Sequence, residues 1–75
     1  MPVEVLDVKG LSCPLPVLRT KKAIRDVPVG SVLQVLTTDP NSVKDMESFC
    51  RMTGNELLAW KDEGGTFVFS IRRSG

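Results

Sequence analysis

The stretch Val3-Glu4-Val5-Leu6-Asp7-Val8 alternates apolar and polar residues and is rich in β-branched side chains. A period of two predicts a strand with one face in a core. Lys9-Gly10-Leu11-Ser12 breaks that pattern. From Pro14 to about Asp26 the residue types suit a helix, with Pro14 at the first helical position, where a missing N–H costs nothing. Val17, Thr20, Ile24 and Val27 recur at helical spacing and mark its buried face. Lys21, Lys22 and Arg25 fall off that stripe and belong in solvent.

Pro28-Val29-Gly30 is a stop followed by a turn. Ser31 to Thr37 is then a second strand, more continuously apolar than the first and therefore central in its sheet. Asp39-Pro40 places an oxygen-bearing side chain before a proline, a pattern that caps a second helix running to about Thr53. Val43, Met46, Phe49, Cys50 and Thr53 share one face of it, and Gly54-Asn55 ends it. Glu56–Lys61 and Thr66–Arg72 read as two more strands around a tight Glu63-Gly64-Gly65 turn. Phe49, Trp60, Phe67 and Phe69 all fall in these periodic segments and are expected to pack.

The predicted order is β-α-β-α-β-β. Its first two strands are parallel through a right-handed crossover, and its last two form a hairpin. Each helix has a single apolar stripe, so both lie on one face of a four-stranded mixed sheet. The fold class is α+β, a two-layer sandwich, with residues 1–75 forming one domain.

Composition narrows the chemistry. The 75 residues leave room for one small core, and domains of this size often lean on disulfides or a metal. There are two cysteines, Cys13 and Cys50, and no histidine, so the chain alone lacks the ligands of a closed zinc site. No metal and no cofactor are expected. The start carries no basic segment followed by an apolar run, and no apolar stretch is long enough to span a bilayer. A cytoplasmic setting follows, where thiols stay reduced. Ten basic and nine acidic side chains nearly cancel, which argues against a nucleic-acid partner.

Cys13 is the residue with chemistry to offer. Gly10-Leu11-Ser12-Cys13-Pro14-Leu15-Pro16 sets a thiol on the turn between the first strand and the first helix. A helix N-terminus favours an anion, by ~0.3–1 kcal/mol and up to ~2 in shelter, and ~1.4 kcal/mol corresponds to one pKa unit. The expectation is a thiol moderately more acidic than a free cysteine, held rigid and outward by Pro14 and Pro16, with the Leu15 and Val17 amides near the sulfur. No second cysteine follows at Cys-x-x-Cys spacing, and without histidine no Cys–His hydrolase is possible. Cys50 lies on the apolar face of the second helix and reads as core filling.

Gly10-Leu11-x-Cys13-Pro14-x-Pro16, Asp39-Pro40, Asp45, Phe49-Cys50 and Glu56-Leu57 together resemble the pattern of the TusA/SirA sulfur-carrier family, over roughly Leu6 to Arg72. The resemblance implies a β-α-β-α-β-β two-layer fold and one sulfur-accepting cysteine, Cys13, supported by Gly10, Pro14, Pro16 and Asp39. It also implies a sulfurtransferase role. Such proteins take sulfur as a persulfide from a cysteine desulfurase or a rhodanese-type donor. They pass it to a relay protein serving tRNA 2-thiolation, molybdenum-cofactor biosynthesis or sulfur oxidation. A monomer with no membrane partner is expected. Lys21 and Arg25 follow Cys13 along the helix and, with Leu15 and Met52, are candidates for docking the donor. The competing reading is a regulatory or RNA- or protein-binding module using the basic face of helix 1.

Overall fold

The computed structural model describes residues 4–75, so Val3, expected in the first strand, lies outside the described residues. The elements are β1 (Glu4–Asp7), α1 (Leu15–Ala23) running into a 3₁₀ turn (Ile24–Asp26), β2 (Val32–Thr37), α2 (Ser42–Thr53), β3 (Glu56–Glu63) and β4 (Thr66–Arg72). The sheet order is β1-β2-β4-β3, so the most apolar strand, β2, is indeed interior. β1 runs parallel to β2 with Leu6 opposite Val35, and β2 runs antiparallel to β4 with Val35 opposite Phe69.

Residues opposite one another share a face, so that register stacks Leu33, Val35, Phe69 and Ile71 on one side of the sheet. All four are buried, and they join Ile24, Val27, Met46, Phe49 and Cys50 in a single cluster. Burying one such large side chain contributes about 1.5–3 kcal/mol. Thr20, also on the inner face of α1, satisfies its hydroxyl by donating to the Pro16 carbonyl at 2.8 Å. Val17 is half-buried, whereas Lys21, Lys22 and Arg25 are exposed.

Several details depart from the sequence reading. Pro14 is the N-cap of α1 and lies outside the helix; Pro16 sits within its first turn and is buried. The cap of α2 is Asn41, not Asp39, and it caps without a side-chain hydrogen bond. Asp39 lies two residues earlier and uses its carboxylate elsewhere. Thr53 is exposed and returns its hydroxyl to the Phe49 carbonyl at 2.7 Å. β3 extends to Glu63, because the hairpin needs only Gly64 and Gly65, at φ 64° and 96°. Trp60 is 43% exposed on the edge strand β3, beyond a register shift between Leu57 and Ala59. It leans on Phe67 and Phe69 with ring centroids 6.3 Å away in each case.

Candidate functional site

Two loops at the same end of the sheet build the site. After β1 the chain turns at Gly10, whose φ of 84° suits glycine. The Gly10 N–H donates to Thr38 Oγ1 at 2.9 Å, which ties this loop to the segment leaving β2. Three residues later the Cys13 N–H donates to Asp39 Oδ2 at 2.7 Å. The other carboxylate oxygen of Asp39 accepts the Asn41 N–H at 3.0 Å. Asp39 therefore clamps the two loops together, with one oxygen on each.

The β2–α2 segment is itself braced. Thr37 and Ser42 hydroxyls meet at 2.6 Å in the interior, and the Ser42 hydroxyl also donates to the Asp39 carbonyl. A carboxylate on this rigid loop fixes the Cys13 backbone better than the two prolines alone would.

The Cys13 side chain is exposed. It stands at a largely apolar groove of about 360 Å³ between α1 and α2, lined by Cys13, Pro14, Val17, Leu18, Lys21, Asp45, Ser48, Phe49, Met52 and Thr53. Met52 is 86% exposed and Leu18 53% exposed. Leu15 is also exposed but does not line this groove, and Arg25 lies beside a separate hollow shared with Lys21, Asn55 and Arg73. The structure thus brings Lys21 and Met52 together with Cys13 and leaves Leu15 and Arg25 outside the groove lining.

The electrostatics overturn the expected acidity of Cys13. Its pKa is raised above that of a free thiol, first because the Asp45 carboxylate accepts a hydrogen bond from it. Partial desolvation and the negative charges of Asp45 and Asp39 act in the same direction. The helix terminus does little to oppose them. Pro14 and Pro16 have no N–H, and the Leu15 amide donates to the Ser12 carbonyl at 2.9 Å. Cys13 therefore rests as a protonated thiol that must lose its proton to act as a nucleophile. Cys50 is a different case: buried on α2, its thiol is pushed up to about 11 by desolvation.

Leu18 and Ser48 line the groove without being singled out by the sequence, and Asp45 enters there only through the family pattern. Leu18 lies off the buried stripe of α1 and lines the groove because α2 packs alongside. Asp45 shows no local sign of a partner in the other loop; only the packing of α2 against the start of α1 brings it to the thiol. Among the described residues no cluster of three or more His, Cys, Asp or Glu could hold a metal ion. No helix among them is long and apolar enough to cross a membrane.

Residues 4–73 match the family model described as Sulfurtransferase TusA. The chain belongs to the TusA family. A sulfur carrier protein TusA from Allochromatium vinosum is 54% identical over 71 residues, covering 95% of this chain and 93% of that protein. A sulfur carrier protein TusA from Pseudomonas putida is 40% identical over 72 residues, covering 96% and 90%. In fold, a SirA-like protein from Desulfitobacterium hafniense superposes with a TM-score of 0.82 at 24% identity, over 99% of this chain and all of that one. TusA family membership and the SirA-like fold agree with the α+β order of elements described above.

Proposed function

We propose that this protein is a cytoplasmic sulfur carrier that accepts sulfane sulfur as a persulfide on Cys13 and delivers it to a downstream relay protein. The observation that carries this reading is the exposed Cys13 thiol at an open apolar groove, in a chain 54% identical to a sulfur carrier. The donor is a cysteine desulfurase or a rhodanese-type protein bearing a persulfide. The pathway served is tRNA 2-thiolation, molybdenum-cofactor biosynthesis or sulfur oxidation.

The chemistry needs little more than a positioned thiol. Cys13 Sγ attacks the terminal sulfur of the donor persulfide, and the donor's cysteine sulfur leaves with the electron pair of the broken S–S bond. No external oxidant or reductant takes part. Asp39 holds the Cys13 backbone, so the approach of the two sulfurs is not blurred by loop motion. The groove offers Leu18 and Met52 as apolar contacts beside the sulfur, while Lys21 and, further along, Arg25 supply positive charge for an acidic donor surface. Cys50 is buried and protonated and takes no part.

The reading is tested by intact mass after incubation with a cysteine desulfurase and cysteine. The wild-type chain gains one sulfur atom, and Cys13→Ser gains none. A Cys13→Ser protein that still gained sulfur would remove Cys13 from the reaction.

A further inference from the structure

The charged groups facing Cys13 come from three directions: Asp39 on the β2–α2 loop, Asp45 in the first turn of α2 and Lys21 on α1 across the groove. Their tasks differ. Both oxygens of Asp39 are occupied by backbone N–H groups of Cys13 and Asn41. Asp45 is half-buried and lines the same groove as the sulfur, with neither of its oxygens given over to a backbone clamp like that of Asp39, and its proximity raises the thiol pKa. A charged Lys21 ammonium has no lone pair with which to accept a proton.

We infer that Asp45 is the proton acceptor for Cys13, taking the thiol proton as the sulfur attacks and returning it to the departing donor. The inference rests on the persulfide reading above. In the step, a bond forms between Cys13 Sγ and the terminal sulfur of the donor persulfide. The donor's S–S bond breaks and its electron pair stays on the donor's cysteine sulfur. The proton moves from Cys13 to an Asp45 oxygen and then to that leaving thiolate. A thiol and a donor persulfide become a Cys13 persulfide and a donor thiol, with no net oxidation. A partner seated on the groove would shut out water, which leaves Asp45 as the base within reach.

This assignment explains an otherwise unhelpful arrangement. Negative charge beside a nucleophilic cysteine suppresses the thiolate and would slow any reaction that waits for it. With Asp45 as the base, the reaction starts from the neutral thiol, the form that the raised Cys13 pKa favours. The thiol is then quiet toward stray electrophiles and active toward a persulfide held in the groove.

The test is the rate of sulfur uptake from glutathione persulfide as a function of pH, read by quenched intact mass, for wild type, Asp45→Asn and Asp45→Ser. Donor ionisation affects all three alike and cancels in the ratio. The ratio of wild type to either variant should be near one at high pH and grow about tenfold per unit toward acid. It should reach about 10²-fold, the lower end for general-base catalysis. Asp45→Glu should keep most of the wild-type profile, which a merely structural carboxylate would not require. Variants that equal or outrun wild type at acid pH would overturn the assignment, since that is what a charge that only suppresses the thiolate gives. A Cys13→Ser arm separates the two readings: uptake by it refutes Cys13 as acceptor, whatever the Asp45 ratios are.

Discussion

Replacing Asp39 with alanine should loosen the site and destabilise the fold together, because one carboxylate holds both loops. Two hydrogen bonds are lost, from the Cys13 N–H at 2.7 Å and from the Asn41 N–H at 3.0 Å. Both are near the surface, so each is worth the ordinary net value and not the larger one of a buried ionic bond. The pair comes to about 2 kcal/mol. For a domain of this size ~1 kcal/mol moves the melting temperature by about 4–8 °C, so Asp39→Ala should melt about 8–16 °C lower. Asp39→Asn keeps one acceptor oxygen and should lose about half as much. Thermal denaturation followed by circular dichroism gives the stability, and amide exchange at Cys13 gives the local effect. The Cys13 N–H should lose protection in Asp39→Ala well beyond the global loss. An alanine variant that melts with the wild type and keeps the Cys13 amide protected would refute the clamp.

Three further outcomes follow from the same geometry. Cys50→Ala should keep persulfide formation and lose about 1 kcal/mol, the value of a small buried group, in a denaturant titration. Because the Cys50 thiol is raised from 9.0 to about 11 in the folded chain, its burial supports the fold fully below the unfolded value. That support is lost as pH rises from about 9 through 11, and it should appear as a falling melting temperature there with no matching fall in Cys50→Ala. Reversing Lys21 and Arg25 to Glu should slow sulfur transfer from a protein donor most at low salt and leave alkylation of Cys13 by a small haloacetamide far less affected. Equal rates across all ionic strengths would mean that these cations are merely solvated.

Most of the architecture was legible because it rests on local signals. The apolar run of β2, the glycine at 54 with φ 79° and the Gly64-Gly65 turn each fix an element from a few neighbouring residues. The misplaced details have local competitors that a pattern cannot rank. Asp39 and Asn41 are both good capping residues, and only the three-dimensional structure reveals that Asp39 is drawn away by the Cys13 amide, 26 residues earlier. Trp60 looked packed because its strand is periodic, yet β3 is an edge strand with a register shift next to it. That Cys13 is an exposed thiol was legible from its place on the turn. Its acidity was not, since the carboxylate that reverses it comes from α2, and the family pattern that includes Asp45 does not say that it faces the thiol.

Peptide mapping of the charged protein locates the sulfur residue by residue. After incubation with a cysteine desulfurase and cysteine, free persulfides are capped with an alkylating reagent and the digested peptides are weighed. One extra sulfur should appear on the peptide carrying Cys13 and none on the peptide carrying Cys50, which stays buried on α2. Extra sulfur on the Cys50 peptide, or none on the Cys13 peptide while the intact protein is charged, would contradict Cys13 as the acceptor.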